Sequence, residues 1–488
     1  MKKESRKKYL FKNTIIFALG NFASKFITFF LIPLYTNFLT TDEYGTIDLL
    51  TVLCTMIIPI VTLNIIEAII RFALDKNADI DKITSTGLIC LFISTILTII
   101  AIPILNNIES LKDYSLLFYL YVITMSYSQF FLSLLRGKEK LLQYSIGNII
   151  HTLLIGIFNI IFLTIFDKGI EGYFYAFIIS NIVTSIYAFI INNTINSIKK
   201  FNFDKKLSKE MIKYSVVLIP NSFMWWIMNS LDRVMITSMI GATANGIYSV
   251  SYKIPSLMTT ITTIFNQAWS YSAIKEEESD DKEEYSNNIF NNLFKTVIII
   301  SVLILLILKP FLKLYVGSDF YSAWKYVPFL IIGFVFMTLG TFLATSYTVN
   351  KDSMGYVKSA TVGTIINLVL NFILIKQIGI AGAAIATAIS YISVFVFRLF
   401  DIKKYLQINI KKKEYFIGII VLLFASASIY IDNYIGYILL LLESIFILFI
   451  FKETWLSLIN SFISKIMKKT KIKSKEVEQI WKSLLKKI

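Results

Sequence analysis

Among the ionisable side chains inside long apolar runs of this 488-residue chain, Lys25, Glu67, Arg71, Asp232, Arg233 and Lys253 stand out. None has the company that bond-making chemistry needs. The chain has a single histidine, His151, and it lacks an HExxH, a P-loop and cysteines paired at metal-ligand spacing. The remaining chemistry is electrostatic: holding a charged group and letting it go. A charge near the bilayer centre costs from about 2.5 kcal/mol upward, so such residues face a bundle interior or a watery cavity.

Depth orders these charges. At about 1.5 Å per helical residue, Lys25 falls near mid-membrane on the first apolar run, where snorkelling is hard. Asp232 and Arg233, adjacent within WWIMNSLDRVMITSMI, fall in the outer half of the seventh run, and Lys253 lies at similar depth on the eighth. Glu67 and Arg71 lie toward the inner end of the second, four positions apart and so on one helix face. The basic members form a ladder from Arg71 through Lys25 to Arg233 and Lys253, a path that an anion would need. Asp232 is expected to pair with Arg233 or Lys253, and either pair would equally serve to hold two helices together. His151 reads as a hydrogen-bonded core residue, and Cys54 and Cys90 as small buried hydrophobes.

Composition identifies the solvent around these runs. Hydrophobic residues make up 56% of the chain and charged residues only 16%, against about 25% charged in soluble domains; the mean hydropathy is +0.67. A hydrocarbon core takes roughly 20 helical residues to cross, and the sequence offers about fourteen such runs. Six cover 13–38, 46–72, 83–105, 114–135, 145–166 and 173–193; six more cover 214–240, 245–273, 289–308, 326–349, 358–376 and 383–400; two follow at 416–431 and 435–451. The net charge of +16 gathers in alternate loops, among them RGKEK and DIKKYLQINIKKKEY. It therefore reports topology rather than nucleic acid, and it places both termini in the cytoplasm of a multi-pass cell-membrane protein.

The chain also repeats itself. LYTNFLTTDEYGTIDLL and VMITSMIGATANGIYSVS align with Gly45 on Gly246, and Tyr144 and Asn159 match Tyr356 and Asn371, each pair followed by G-I-x-G at Gly169 or Gly379. Six runs lie between equivalents, so both halves share one orientation and are parallel repeats. The expected fold is an all-α polytopic membrane protein of about 14 transmembrane helices. Its parts would be an N-terminal six-helix lobe (1–195), a cytoplasmic connector (196–213), a C-terminal six-helix lobe (214–402), two additional helices (403–452) and a basic cytoplasmic tail (453–488).

Three segments carry a family resemblance: FALGNFASKFITFFLIPLYTNFLTTDEYG, NSLDRVMITSMIGATANGIYSVSYKIPS and NLVLNFILIKQIGIAGAAIATAISY. They resemble the first helix and turn, the seventh-to-eighth helix segment and the eleventh-to-twelfth hairpin of Wzx-type oligosaccharide flippases. These are polysaccharide exporters of the multidrug/oligosaccharidyl-lipid/polysaccharide (MOP, MATE-like) superfamily. The resemblance implies alternating access around a cationic cavity and a cargo of undecaprenyl pyrophosphate-linked oligosaccharide. It further implies a place in cell-surface polysaccharide biosynthesis beside a polymerase and glycosyltransferases; the drive stays open between a coupling ion, H+ or Na+, and the membrane potential alone. Asp232 and Arg233 match the family's Asp-Arg of helix seven and Arg71 a basic position near the end of helix two; Lys25 and Glu67 rest on depth alone. No enzymatic activity, cofactor or metal is expected. A multidrug antiporter, a lipid II flippase and a non-transporting scaffold stay open as alternatives, as does a membrane glycosyltransferase, which the absence of a loop long enough to fold a soluble domain disfavours.

Overall fold

The computed structural model describes residues 27–457 except 76–77, 102, 104–111 and 276–278, together with 459–460; Lys25 and most of the basic tail lie outside them. The described residues are helical almost throughout. In chain order the helices are α1 (Ile27–Phe38), α2 (Thr41–Val61), α3 (Ile65–Ala73), α4 (Ile80–Ile100), α5 (Ser115–Gly137), α6 (Leu141–Ile160), α7 (Gly169–Ile191) and α8 (Thr194–Lys199). There follow α9 (Lys205–Met239), α10 (Ala242–Lys275), α11 (Lys282–Tyr315), α12 (Val327–Val349), α13 (Ser353–Ile378), α14 (Ile380–Asp401), α15 (Lys412–Ser428) and α16 (Tyr434–Ile450). Among the described residues the runs read as spans lie on helices, the second on two, and nine helices are long and apolar enough to cross a membrane. Large apolar side chains such as Phe92, Ile165 and Phe372 are exposed on them, as expected where the outer solvent is lipid.

Local chemistry sets the ends. Thr40 and Glu43 form a reciprocal capping box at the start of α2. Asp79, Asp204 and Asp352 cap α4, α9 and α13 through their carboxylates. The second span is not one helix as expected. Pro59 removes a backbone donor within α2, and the chain then turns left-handed at Leu63 (φ 51°) and Asn64 (φ 53°). The Asn64 N–H reaches back to the Pro59 carbonyl at 2.8 Å before α3 begins. Glu67 and Arg71 therefore sit on a separate nine-residue helix.

Packing divides the chain into two units. The larger contains Met1–Tyr271 and Pro310–Asp401. Within it α5 and α7 pack together, α14 packs on α12 and α13, and α9 touches α2, α3 and α13. The connector is latched to α4. Lys82 pairs with Asp204 at 3.0 Å, Thr86 shares a hydrogen bond with Ser208 at 2.7 Å, and Ser197 donates to Asp81 at 2.7 Å. In the smaller unit, Ser272–Lys309 with Ile402–Ile488, Asn287 and Asn291 of α11 hold the 407–411 backbone through their amides. Lys295–Glu414 (2.8 Å) and Lys309–Asp432 (2.9 Å) tie α11 to α15 and to the turn after it.

The repeat is visible as physical contact. Thr243 donates to Asp42 at 3.2 Å and Ser249 to Asp48 at 2.7 Å, each pair separated by 201 residues. Gly45 and Gly246, aligned from sequence at the same spacing, face one another between these contacts. A Cβ on Gly45 would lie 1.8 Å from the Ala242 carbonyl oxygen, and one on Gly246 would lie 2.0 Å from that of Thr41. Helices that touch residue for equivalent residue run parallel, and only glycine allows backbones this close. The second match holds as well: Asn159 and Asn371 are both wholly buried, and Gly169 and Gly379 both take positive φ, at 49° and 62°.

Two outcomes are expected. Gly45→Ala must push two backbones apart and should cost about 1–3 kcal/mol in thermal unfolding. Gly340→Ala, whose Cβ would meet its nearest neighbour at an ordinary 3.6 Å, should cost much less. Separately, the backbone N–H of Leu207 and then the Lys82 ammonium hold the Asp204 carboxyl below its ordinary range. A carboxyl depressed on folding stabilises above its unfolded pKa and loses that contribution as pH falls through the folded one. Hydrogen-exchange protection at Lys206 and Leu207 should therefore drop on acidification below the usual aspartate range, and Asp204→Asn should remove that pH dependence.

Candidate functional site

Where α9 passes the start of α10, its two adjacent charges turn to different neighbours. Asp232 is buried, and its carboxylate accepts the Arg233 backbone N–H at 2.9 Å and the Tyr248 hydroxyl at 2.5 Å, with Thr387 of α14 at 3.5 Å. Its side-chain hydrogen bonds thus come from α10 and α14, while the Arg233 charge expected from sequence depth acts on it through space. A hydroxyl 16 residues along the chain carries no charge to mark it in the sequence.

Arg233 points to α2. Its Nε lies 3.6 Å from Asp48, and its guanidinium lies over the Tyr252 ring at 4.9 Å from the centroid. Both side chains are largely buried, at 13% and 10% exposure. Asp48 also accepts from Ser249 at 2.7 Å and lies 3.5 Å from the Asn245 amide, which itself donates to the Gly45 carbonyl at 2.8 Å. The ion pair therefore stands directly behind the glycine crossing and joins the first repeat to the second. At 3.6 Å it is too long for a hydrogen bond, and the Arg233 Nε has none. A buried charge pair this loosely made gains little net stability over its desolvation cost.

The remaining expected residues divide. Lys253, one position beyond Tyr252, lines a cavity of about 250 Å³ together with Asp48, His151, Thr152, Tyr35 and Tyr44. His151 is the hydrogen-bonded residue expected, with Nε2 2.9 Å from the Asn181 side-chain oxygen, and it is also a wall of that cavity. Arg71 is 56% exposed and pairs with Asp75 at 2.6 Å, not with Glu67. Glu67 is exposed. Of the ladder's described members Lys253 alone lines this cavity; Arg71 and Arg233 do not, and Arg233 is linked to it through Asp48, which is one of its walls. Both cysteines are buried thiols.

Sequence reasoning missed Asp48. It follows Asp42 and Glu43 so closely that it reads as part of an acidic outer turn. The usable signal was its position three residues past Gly45, on the face that the repeat alignment already assigned to the crossing.

With this geometry in view, comparison with known proteins is decisive at the level of family. Residues 10–271 match the sequence family described as polysaccharide biosynthesis protein. The chain belongs to the polysaccharide biosynthesis protein family. An uncharacterized membrane protein of Methanocaldococcus jannaschii is 22% identical over 368 residues, covering 70% of this chain and 71% of its own length. Among solved structures, the lipid II flippase MurJ in an inward closed conformation superposes with a TM-score of 0.68 at 16% identity, covering 91% of this chain and 98% of that one. An inward-facing multidrug resistance MATE family transporter of the MOP superfamily gives 0.64 at 14% identity, with 79% and 94% covered. This member of the polysaccharide biosynthesis protein family thus has the all-helical MurJ/MATE-like transporter fold.

A double-mutant cycle tests the pair. Asp48→Asn leaves a buried guanidinium uncompensated, and Arg233→Gln leaves a buried carboxylate. Each should lower thermal stability, and the double variant should be more stable than the sum predicts by about 0.5–3 kcal/mol. Strict additivity would mean that the two charges do not interact.

Proposed function

We propose that the protein is a flippase. It moves undecaprenyl pyrophosphate-linked oligosaccharide repeat units from the cytoplasmic to the outer leaflet of the cell membrane, for cell-surface polysaccharide. The observation that carries this reading is the Asp48–Arg233 pair, which spans the two repeats behind the Gly45–Gly246 crossing. Alternating access needs a seal between the halves that holds in one state and yields in the other. A long ion pair over a small-residue crossing does this, and breaking it presents a cation to an anionic head group. In this reading 1–195 and 214–402 act as the two lobes, with 403–452 and the tail as additions and both termini in the cytoplasm. Lys25 and Arg71 would form the inner part of the anion path, and Glu67 or the membrane potential, at about 2.3 kcal/mol per charge per 100 mV, would supply the drive through H+ or Na+ coupling or directly.

A lipid II flippase is the second reading, favoured by the coverage of 91% of this chain by MurJ. The family match favours the first reading, and both share a polyprenyl pyrophosphate head group. A cation exporter is disfavoured because Asp48 and Asp232 are each already held by donors.

Reconstituted liposomes test the proposal. Outward movement of undecaprenyl pyrophosphate-linked oligosaccharide is followed by its accessibility to a glycosidase added outside. The parent should move it, and Arg233→Ala should reduce the rate about tenfold or more, the loss of one charged contact. Movement unaffected by Arg233→Ala would remove the pair from the mechanism. Ethidium efflux without lipid movement would replace the flippase by a drug antiporter.

A further inference from the structure

Between α7 and α9 the chain turns its polar side inward. α8 and the stretch after it belong to none of the described helices that are long and apolar enough to span a membrane. Thr194 and Ser197, three positions apart on α8, are both buried. Ser197 donates to Asp81 of α4 at 2.7 Å, and the Asn202 backbone N–H donates to the Ser85 hydroxyl at 3.3 Å. Asp204 and Ser208 continue the same line of contacts, to Lys82 and Thr86. The apolar residues of this segment are the ones left outside. Ile195, Ile198, Phe201 and Phe203 are 45–56% exposed.

A connector lying in water would be built the other way round, because apolar groups gain by leaving water and hydroxyls do not. Exposed apolar area on a segment already fastened by its polar side marks a second contact. Charge decides with what. Lys199, Lys200, Lys205, Lys206 and Lys209 stand among these residues in the chain and are all exposed, against one exposed acid, Glu210. Apolar side chains interleaved with lysines are the pattern of a segment that lies in the membrane interface beside anionic headgroups. The chain's own Lys-rich tail has the same sign and does not complement it. We propose that α8 and residues 200–206 are a docking surface for anionic phospholipid in the leaflet at this end of the bundle. Ile195, Ile198, Phe201 and Phe203 enter the acyl boundary, and the lysines hold the headgroup phosphates. The dock is tied to α4 and runs directly into α9, the helix that carries Arg233. Anionic lipid therefore binds at the start of the helix that joins the two repeats. This docking depends on the membrane placement of the chain and not on its cargo.

Electron paramagnetic resonance on the full chain tests it, with a nitroxide attached through Ile198→Cys and one copy per nanodisc. The discs hold either phosphatidylcholine alone or a mixture with phosphatidylglycerol. In the mixture the label should be relaxed by oxygen, which partitions into acyl chains, and little by a water-soluble nickel chelate. In phosphatidylcholine alone, or in the mixture at high salt, the balance should shift toward the nickel chelate. Lys199→Gln, Lys200→Gln, Lys205→Gln and Lys206→Gln together should remove the difference between the two lipids. A label equally open to the nickel chelate in both lipids would overturn the proposal, as would one at the same acyl depth in both. Shielding from both agents would mean that protein covers this face, and would overturn it too. The comparison of lipids on the chain with all its lysines decides these outcomes even where the lysine variant fails to fold.

Discussion

Close approach of two backbones at Gly45 and Gly246 is the constraint on which the functional half of the structure depends. With no Cβ on either side, α2 and α10 meet at a distance that brings Asp48 against Ser249 and Asn245. Only at that separation does the α9 guanidinium reach a carboxylate of the first repeat while its neighbour Asp232 satisfies Tyr248 and Thr387 of the second. The adjacent acid and base in the apolar run thus serve different halves of the molecule. Asp232 fixes α9 to its own repeat, and Arg233 reaches across.

The polar groups at the crossing are held by unequal means. Asp232 accepts short hydrogen bonds from within its own repeat, and these are costly to break in a medium without water. The contact between repeats is a long ion pair and a cation–ring contact. Under the proposed alternating access, such a difference would let one joint yield while the rest holds, as rigid-body rocking about a fixed site requires.

Much of this was legible from the residues. Among the described residues apolar run length marks the nine helices long enough to cross a membrane, because the hydrocarbon thickness fixes how many helical residues are needed, and the Gly45–Gly246 alignment marks the crossing. What escaped the sequence is side-chain direction. Asp232 and Arg233 are neighbours, and nothing in their order says that one turns to α10 and the other to α2. Arg71 and Glu67 share a face of α3 at a spacing of four, yet Arg71 pairs with Asp75, just past the end of that helix. Asp48 was hidden by the acidic turn before it, though its distance from Gly45 placed it on the crossing face.

The in-register contacts at this crossing have a further implication. They are those of an isologous interface, in which a surface meets its own copy across a two-fold axis. Two unfused, identical halves would be bound by that symmetry, and a carboxylate at the position of Asp48 would then face a second carboxylate where Ser249 now stands 2.7 Å away. Joining both copies in one polypeptide frees each side to differ. Acid can meet hydroxyl on the axis, and the guanidinium that answers the acid need exist only once. The directional chemistry of the crossing is therefore a property of covalent fusion, and a perfectly symmetric pair of half-length chains has no means of building it.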